Sequence, residues 1–83
     1  MNVLTLNLSD AVKIEVDNSY TGVETIKYNG EIVSEKKSLL GENHTFEREE
    51  QGELAKYEVR ISIKHFSRVG IDIYRNNKVL LLS

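Results

Sequence analysis

The sequence contains no cysteine and no proline. Without cysteine, no disulfide braces the core, no thiolate ligates a metal, and no thiol serves as a nucleophile. Without proline, an exposed strand edge has to be guarded by charge, by short length or by a bulge. No apolar stretch approaches the ~18 residues that a membrane-spanning helix requires. The opening Met1-Asn2-Val3-Leu4 has no basic segment leading into a long apolar run, so it lacks the form of a signal peptide. Glycine is scattered singly, at Gly22, Gly30, Gly41, Gly52 and Gly70, as turns and bulges require and as a phosphate-cradling loop does not. The formal charge is −2 with both signs interspersed, which is the footprint of neither a nucleic-acid binder nor a membrane binder. The expectation is a soluble, cytoplasmic protein with no cofactor, no nucleic-acid partner and no membrane partner.

What is present is an apolar period of two, the strand signature. Leu4, Leu6 and Leu8 alternate with Val3, Thr5 and Asn7. Val12, Ile14 and Val16 alternate with Lys13, Glu15 and Asp17. The clearest run sets Tyr57, Val59, Ile61 and Ile63 against Lys56, Glu58, Arg60, Ser62 and Lys64, and Val69, Ile71 and Ile73 continue it. Such strands bury one face and wet the other, as antiparallel sheets do. No segment shows a sustained 3.6-residue period, so no helix is expected.

Registers follow from requiring apolar residues to meet apolar residues across a hairpin. A three-residue loop Ser9-Asp10-Ala11 pairs Leu8 with Val12, Leu6 with Ile14 and Leu4 with Val16. Ala11 is a poor residue for the left-handed position such loops often use. A type I′ turn at Asn29-Gly30 pairs Tyr28 with Glu31, Lys27 with Ile32, Ile26 with Val33 and, unfavourably, Glu24 with Glu35. A four-residue loop from Glu50 to Glu53 pairs Phe46 with Tyr57 and Glu47 with Lys56. A loop at Phe66-Ser67-Arg68 pairs Ile63 with Ile71 and Ile61 with Ile73. A two-residue loop at Asn76-Asn77 pairs Tyr74 with Val79, Ile73 with Leu80 and Ile71 with Leu82. The links Asp17–Thr21 and Lys37–Asn43 are the expected crossings between sheets. The fold class is therefore all-β. A small antiparallel β-sandwich of seven or eight strands, with mostly hairpin connections, fits residues 1–83 as a single domain, and a meander β-barrel is the alternative.

The order of residues from Glu24 to Ser38, centred on Asn29-Gly30, then Gly41, then His44-Thr45-Phe46, then Tyr57-Glu58-Val59, resembles a known pattern. It is similar to the β-sandwich domains of Fas apoptosis inhibitory molecule and of uncharacterised bacterial domains like them. The resemblance spans Val23 to Ile63 and implies a non-enzymatic β-sandwich. It holds no catalytic or ligand motif, so no functional residue comes with it.

Little in the sequence supports chemistry. His44 and His65 fall on inward faces, where a partly buried, hydrogen-bonded imidazole is the ordinary reading and a zinc site the sharper one. No nucleophile elbow accompanies the serines. Glu47-Arg48-Glu49-Glu50 reads as a solvated charge cluster or an edge guard. Lys56, Arg60 and Lys64 share a strand face, but Glu58 interrupts them. The expectation is not an enzyme, and no metal or catalytic residue is assigned.

The apolar C-terminal run Val79-Leu80-Leu81-Leu82 is the most suggestive surface. Leu80 and Leu82 are expected to face the core, leaving Val79 and Leu81 outward beside Tyr74, unless the other sheet or the Tyr20 loop covers them. Ile32 likewise points to the second face of its hairpin. Tyr74, Val79, Leu81 and Ile32 are the expected interaction residues of a small module. Such a module binds a protein partner or forms a homo-oligomer, as a regulator or inhibitor. A small-ligand or metal site near His44 and His65, or a structural role within a larger assembly, are the alternatives.

Overall fold

The computed structural model describes residues 1–64 and 68–82. The chain is all-β, with eight strands: β1 (Asn2–Asn7), β2 (Lys13–Asn18), β3 (Val23–Tyr28), β4 (Glu31–Lys37), β5 (Asn43–Glu50), β6 (Glu53–Lys64), β7 (Arg68–Arg75) and β8 (Lys78–Leu81). They form two four-stranded antiparallel sheets, ordered β1-β2-β3-β4 and β5-β6-β7-β8. The strand and sheet count is that of a small β-sandwich. The barrel alternative is excluded, because each sheet is open and ends in two edge strands. The sheets coincide with two compact units, Met1–Leu39 and Leu40–Ser83. Among the described residues no helix is long and apolar enough to cross a membrane.

Alternation gives each sheet one buried and one wet face. In the first sheet Ile14, Val16, Ile26 and Tyr28 are buried, with Glu24 on the same face of β3. In the second, His44, Phe46, Ala55, Tyr57, Val59, Ile61, Ile71 and Ile73 are buried. Phe46 and Tyr57 are cross-strand partners whose rings stack, with centroids 5.0 Å apart.

The first hairpin has the expected register, with Leu4 opposite Val16 and Leu6 opposite Ile14. Its loop needs no left-handed residue at Ala11, because the Ala11 N–H donates to Ser9 Oγ at 3.1 Å and closes the turn locally. The link after β2 is not a crossing between sheets. Ser19 N–H donates to Val23 O, Gly22 N–H to Ser19 O and Val23 N–H to Ser19 Oγ, which turn the chain straight into β3. Gly22, at φ +83°, supplies the left-handed step. The only link between the sheets among the described residues follows β4. There Gly41 (φ +102°) lies so close to Ile61 that an added Cβ would meet its carbonyl oxygen at 2.3 Å.

Among the described residues, three two-residue turns have both residues at positive φ: Asn29-Gly30 (51° and 84°), Gln51-Gly52 (52° and 81°) and Asn76-Asn77 (50° and 65°). This is the type I′ signature. The Gln51-Gly52 turn is shorter than the expected four-residue loop, since Glu50 and Glu53 pair, but the register beyond it is as expected. In the hairpin of β6 and β7, Ile61 faces Ile71 and Ile63 faces Val69, two residues from the expected pairing and on the same face. The parity of alternation cannot distinguish those two registers. His65 and the Phe66-Ser67 part of the expected loop lie outside the described residues.

Bulges account for the remaining departures. In β4 the register shifts between Ile32 and Ser34, so Ile26 faces Ser34 rather than Val33. Glu24 then meets Lys36 instead of Glu35, and Glu35 accepts a hydrogen bond from Thr25 Oγ1 at 2.9 Å. One inserted residue thus replaces a like-charge contact by opposite charges. In β8 the register shifts after Val79, so Ile73 faces Leu81 rather than Leu80.

Superimposing the two registers reveals a repeat. In both sheets the third and fourth strands are joined by a type I′ turn opening on Asn, and the fourth strand bulges at the third residue after the turn. In both, that Asn clamps a Lys of the second strand. Asn29 N–H donates to Lys13 O at 2.8 Å and Lys13 N–H donates to Asn29 Oδ1 at 2.8 Å. Asn76 N–H donates to Lys56 O at 2.7 Å and Lys56 N–H donates to Asn76 Oδ1 at 2.9 Å. The clamped strands read Lys13-Ile14-Glu15-Val16 and Lys56-Tyr57-Glu58-Val59. The registers make Leu6 equivalent to Phe46, Ile26 to Ile73, and Ile32 to Val79.

Candidate functional site

Ile32 and Val79 occupy the same place in the two sheets, the second residue after an Asn-led turn. Both are more than half exposed, at 56% and 51%. Ile32 stands across from Lys27, and Val79 across from Tyr74. These two expected interaction residues are therefore surface residues, each at the edge of its sheet.

Tyr74 lies on the wet face of the second sheet, with the Arg60 guanidinium 4.8 Å from its ring centre. Arg60 is also held by Glu58 through Nε at 2.8 Å and Nη2 at 3.3 Å, and this bonding raises its pKa above an already high ordinary value. Lys56 stands 4.0 Å from Glu47 on the same face. The basic row noted in the sequence is thus partly neutralised at Arg60 and Lys56. Thr45, Glu47, Lys56, Glu58, Tyr74 and Asn77 border an open depression of about 430 Å³.

Leu81 departs from expectation. Its partner is Ile73, whose side chain is fully buried, so Leu81 shares the buried side and not the face of Tyr74 and Val79. The bulge inserts one residue between Val79 and Leu81, which moves Leu81 to the opposite face. Leu82, expected in the core, is 64% exposed beyond the end of β8. The outward stripe therefore reduces to Tyr74 and Val79.

The structure adds a cluster that the sequence did not announce. Glu50 Oε2 accepts a hydrogen bond from Tyr57 Oη at 2.5 Å, and Glu50 Oε1 accepts from Arg75 Nε at 3.0 Å and Nη2 at 2.7 Å. Hydrogen bonding to Glu50, and then to Tyr57, raises the Arg75 pKa. Only a correct register across β5, β6 and β7 brings residues so far apart in sequence together. Tyr57 and Arg75 are cross-strand partners, and Glu50 ends the neighbouring strand. In the first sheet Asp17 is bound by Asn2 Nδ2 at 3.1 Å and Lys27 Nζ at 3.2 Å. Burial pushes its pKa up, but the Asn2 and Lys27 hydrogen bonds and the Lys27 charge outweigh it and leave the pKa below the ordinary value.

His44 is on the inward face expected for it, with Phe46, and is fully rather than partly buried. Among the described residues no three His, Asp or Glu side chains converge as a metal ion would need. Comparison with protein-family models, with curated proteins and with solved structures finds no match to this chain.

Proposed function

We propose that this chain is a small, non-enzymatic interaction module that binds a partner protein or a second copy of itself. One observation carries the reading. At the same position of both sheets, a large aliphatic side chain, Ile32 or Val79, stands more than half exposed on an edge strand. Alternation places neither residue in the core, so the fold does not require an aliphatic side chain at either position. Exposed aliphatic side chains held at equivalent positions of two rigid sheets are the elements of a side-chain docking surface. The resemblance to β-sandwich domains without a catalytic motif agrees with a binding role.

The test is affinity capture from lysate of the natural host, comparing the native chain with an Ile32→Lys/Val79→Lys variant of unchanged melting temperature. A protein held by the native chain and lost from the variant is the expected result. The same proteins retained by both would contradict the reading.

A further inference from the structure

Three of the four sheet edges carry a guard against strand addition. β4 has Glu31, Glu35, Lys36 and Lys37 as well as a bulge, and β5 has Glu47, Arg48, Glu49 and Glu50. β8 is only four residues long and is bulged. β1 is different. It carries no charged side chain, and the first in the chain is Asp10. Its single irregularity lies between Asn2 and Leu4, leaving Leu4 to Asn7 regular.

The direction of its free backbone groups follows from the hairpin. Leu8 N–H donates to Val12 O at 2.9 Å. Antiparallel alternation then turns the N–H and C=O of Leu6 and Leu4 toward β2, and those of Thr5 and Asn7 toward the open side. Leu4, Leu6 and Leu8 remain only half-buried, whereas Val16 and Ile14 across from the first two are almost wholly buried. The edge thus offers unpaired backbone groups and a row of incompletely covered leucines.

We infer that β1 pairs antiparallel with β1 of a second copy, about a two-fold axis at Leu6, joining two first sheets into one of eight strands. This rests on the reading of the chain as an interaction module and adds to it a second surface, the β1 edge, whose partner is a second copy. In this register Leu6 meets its own copy, Leu4 meets Leu8, and Thr5 exchanges both backbone hydrogen bonds with Asn7. Every leucine falls on the leucine face, whereas a one-residue slip would set leucine against threonine or asparagine. The stretch Leu4-Thr5-Leu6-Asn7-Leu8 presents leucine at every second position from either direction, so it complements itself. The absence of charge matters for the same reason, because a strand that meets itself meets its own charges. The equivalent pairing of β5 would enclose Glu47 and Arg48 at the junction. A single strand pairing is a small interface, so the expected dissociation constant is on the order of 100 µM.

Sedimentation equilibrium of the full chain, from about 10 µM to about 1 mM, tests this. The native chain should rise from 9.5 kDa toward twice that mass. Asn7→Pro removes one edge-facing N–H per copy and should weaken association by about tenfold or more. Leu6→Lys and Leu6→Glu should each be monomeric, and their equimolar mixture should dimerise. A native chain that stays monomeric, or a folded Asn7→Pro variant that associates as tightly as the native chain, would overturn the inference. If the proline variant does not fold, a Lys/Glu mixture that remains monomeric overturns it instead. A monomeric native chain that still loses a captured partner on Ile32→Lys/Val79→Lys would remove the β1 pairing and leave the interaction module standing.

Discussion

Lys27 and Tyr74 occupy the same place in the two sheets, and so do Asp17 and Arg60. In the first sheet they form an ion pair at 3.2 Å, and in the second a cation over a ring at 4.8 Å. The same diagonal across two strands thus carries two different chemistries. Beneath it the frame repeats: a buried isoleucine, Ile26 or Ile73, a type I′ turn, and an asparagine holding a lysine of the second strand by two backbone-directed bonds. The buried face and the clamp define the frame. The wet face and the edges vary freely over it, and the largest contrast between the halves is there: β5 is charged, and β1 is not.

If the frame is shared, equivalent substitutions should cost equivalent amounts. Ile26→Ala and Ile73→Ala each empty a site that is 0% exposed, and each should lower stability by about 3 kcal/mol in urea denaturation. A large loss in one sheet and a negligible one in the other would break the comparison. Asn29→Ala and Asn76→Ala each remove the side-chain half of a clamp and place alanine at positive φ. Asn76→Ala should cost about 2 kcal/mol by the same measurement and Asn29→Ala somewhat more, because Asn29 Nδ2 also donates to Ala11 O at 3.0 Å.

Gly30→Val sharpens the turn assignment. Nothing lies within 4 Å of an added Cβ there, so the cost is that of a β-branched residue at φ +84° alone. It should be about 1–2 kcal/mol, and an unchanged melting temperature would refute the type I′ turn.

The smallest effects separate the two diagonals. A double-mutant cycle on Asp17/Lys27 should return about 0.5 kcal/mol, and one on Arg60/Tyr74 a small favourable coupling. Only the first should depend on pH. The Asp17 pKa is lowered in the folded state, so its contribution is complete above the ordinary carboxylate value of about 4 and is lost as pH falls through the lower folded value. Urea denaturation between neutral and acid pH should show that part of the slope vanish in Asp17→Asn. An identical acid profile in the variant would show that Asp17 is not held by Asn2 and Lys27.

Alternation in the sequence was enough to give the all-β class, the strand count and the register of the first hairpin. The bulges were hidden, for a physical reason. Val33 and Leu80 are apolar, so neither residue marks itself as the inserted one, and the gain lies in a distant contact such as Glu24 with Lys36. The exposed position of Ile32 and Val79 could be read directly, whereas that of Leu81 could not, because it lies beyond a bulge. The repeat escaped detection because its spacing is not constant. It is 40 residues from Leu6 to Phe46, 43 from Lys13 to Lys56 and 47 from Asn29 to Asn76, as loops of different length intervene. The Glu50, Tyr57 and Arg75 cluster needed three strands in register before it could be seen.

The most direct measurement is amide hydrogen exchange, followed residue by residue at low and high protein concentration. By the alternation of the two hairpins, Thr5 and Asn7 on β1 and Thr45 and Glu47 on β5 are the edge-facing amides at equivalent positions. Exchange at Thr5 and Asn7 should slow as concentration rises, while exchange at Thr45 and Glu47 stays fast. Fast exchange at Thr5 and Asn7 at every concentration would show that the uncharged edge pairs with nothing, and that the difference between the two sheets does not carry self-association.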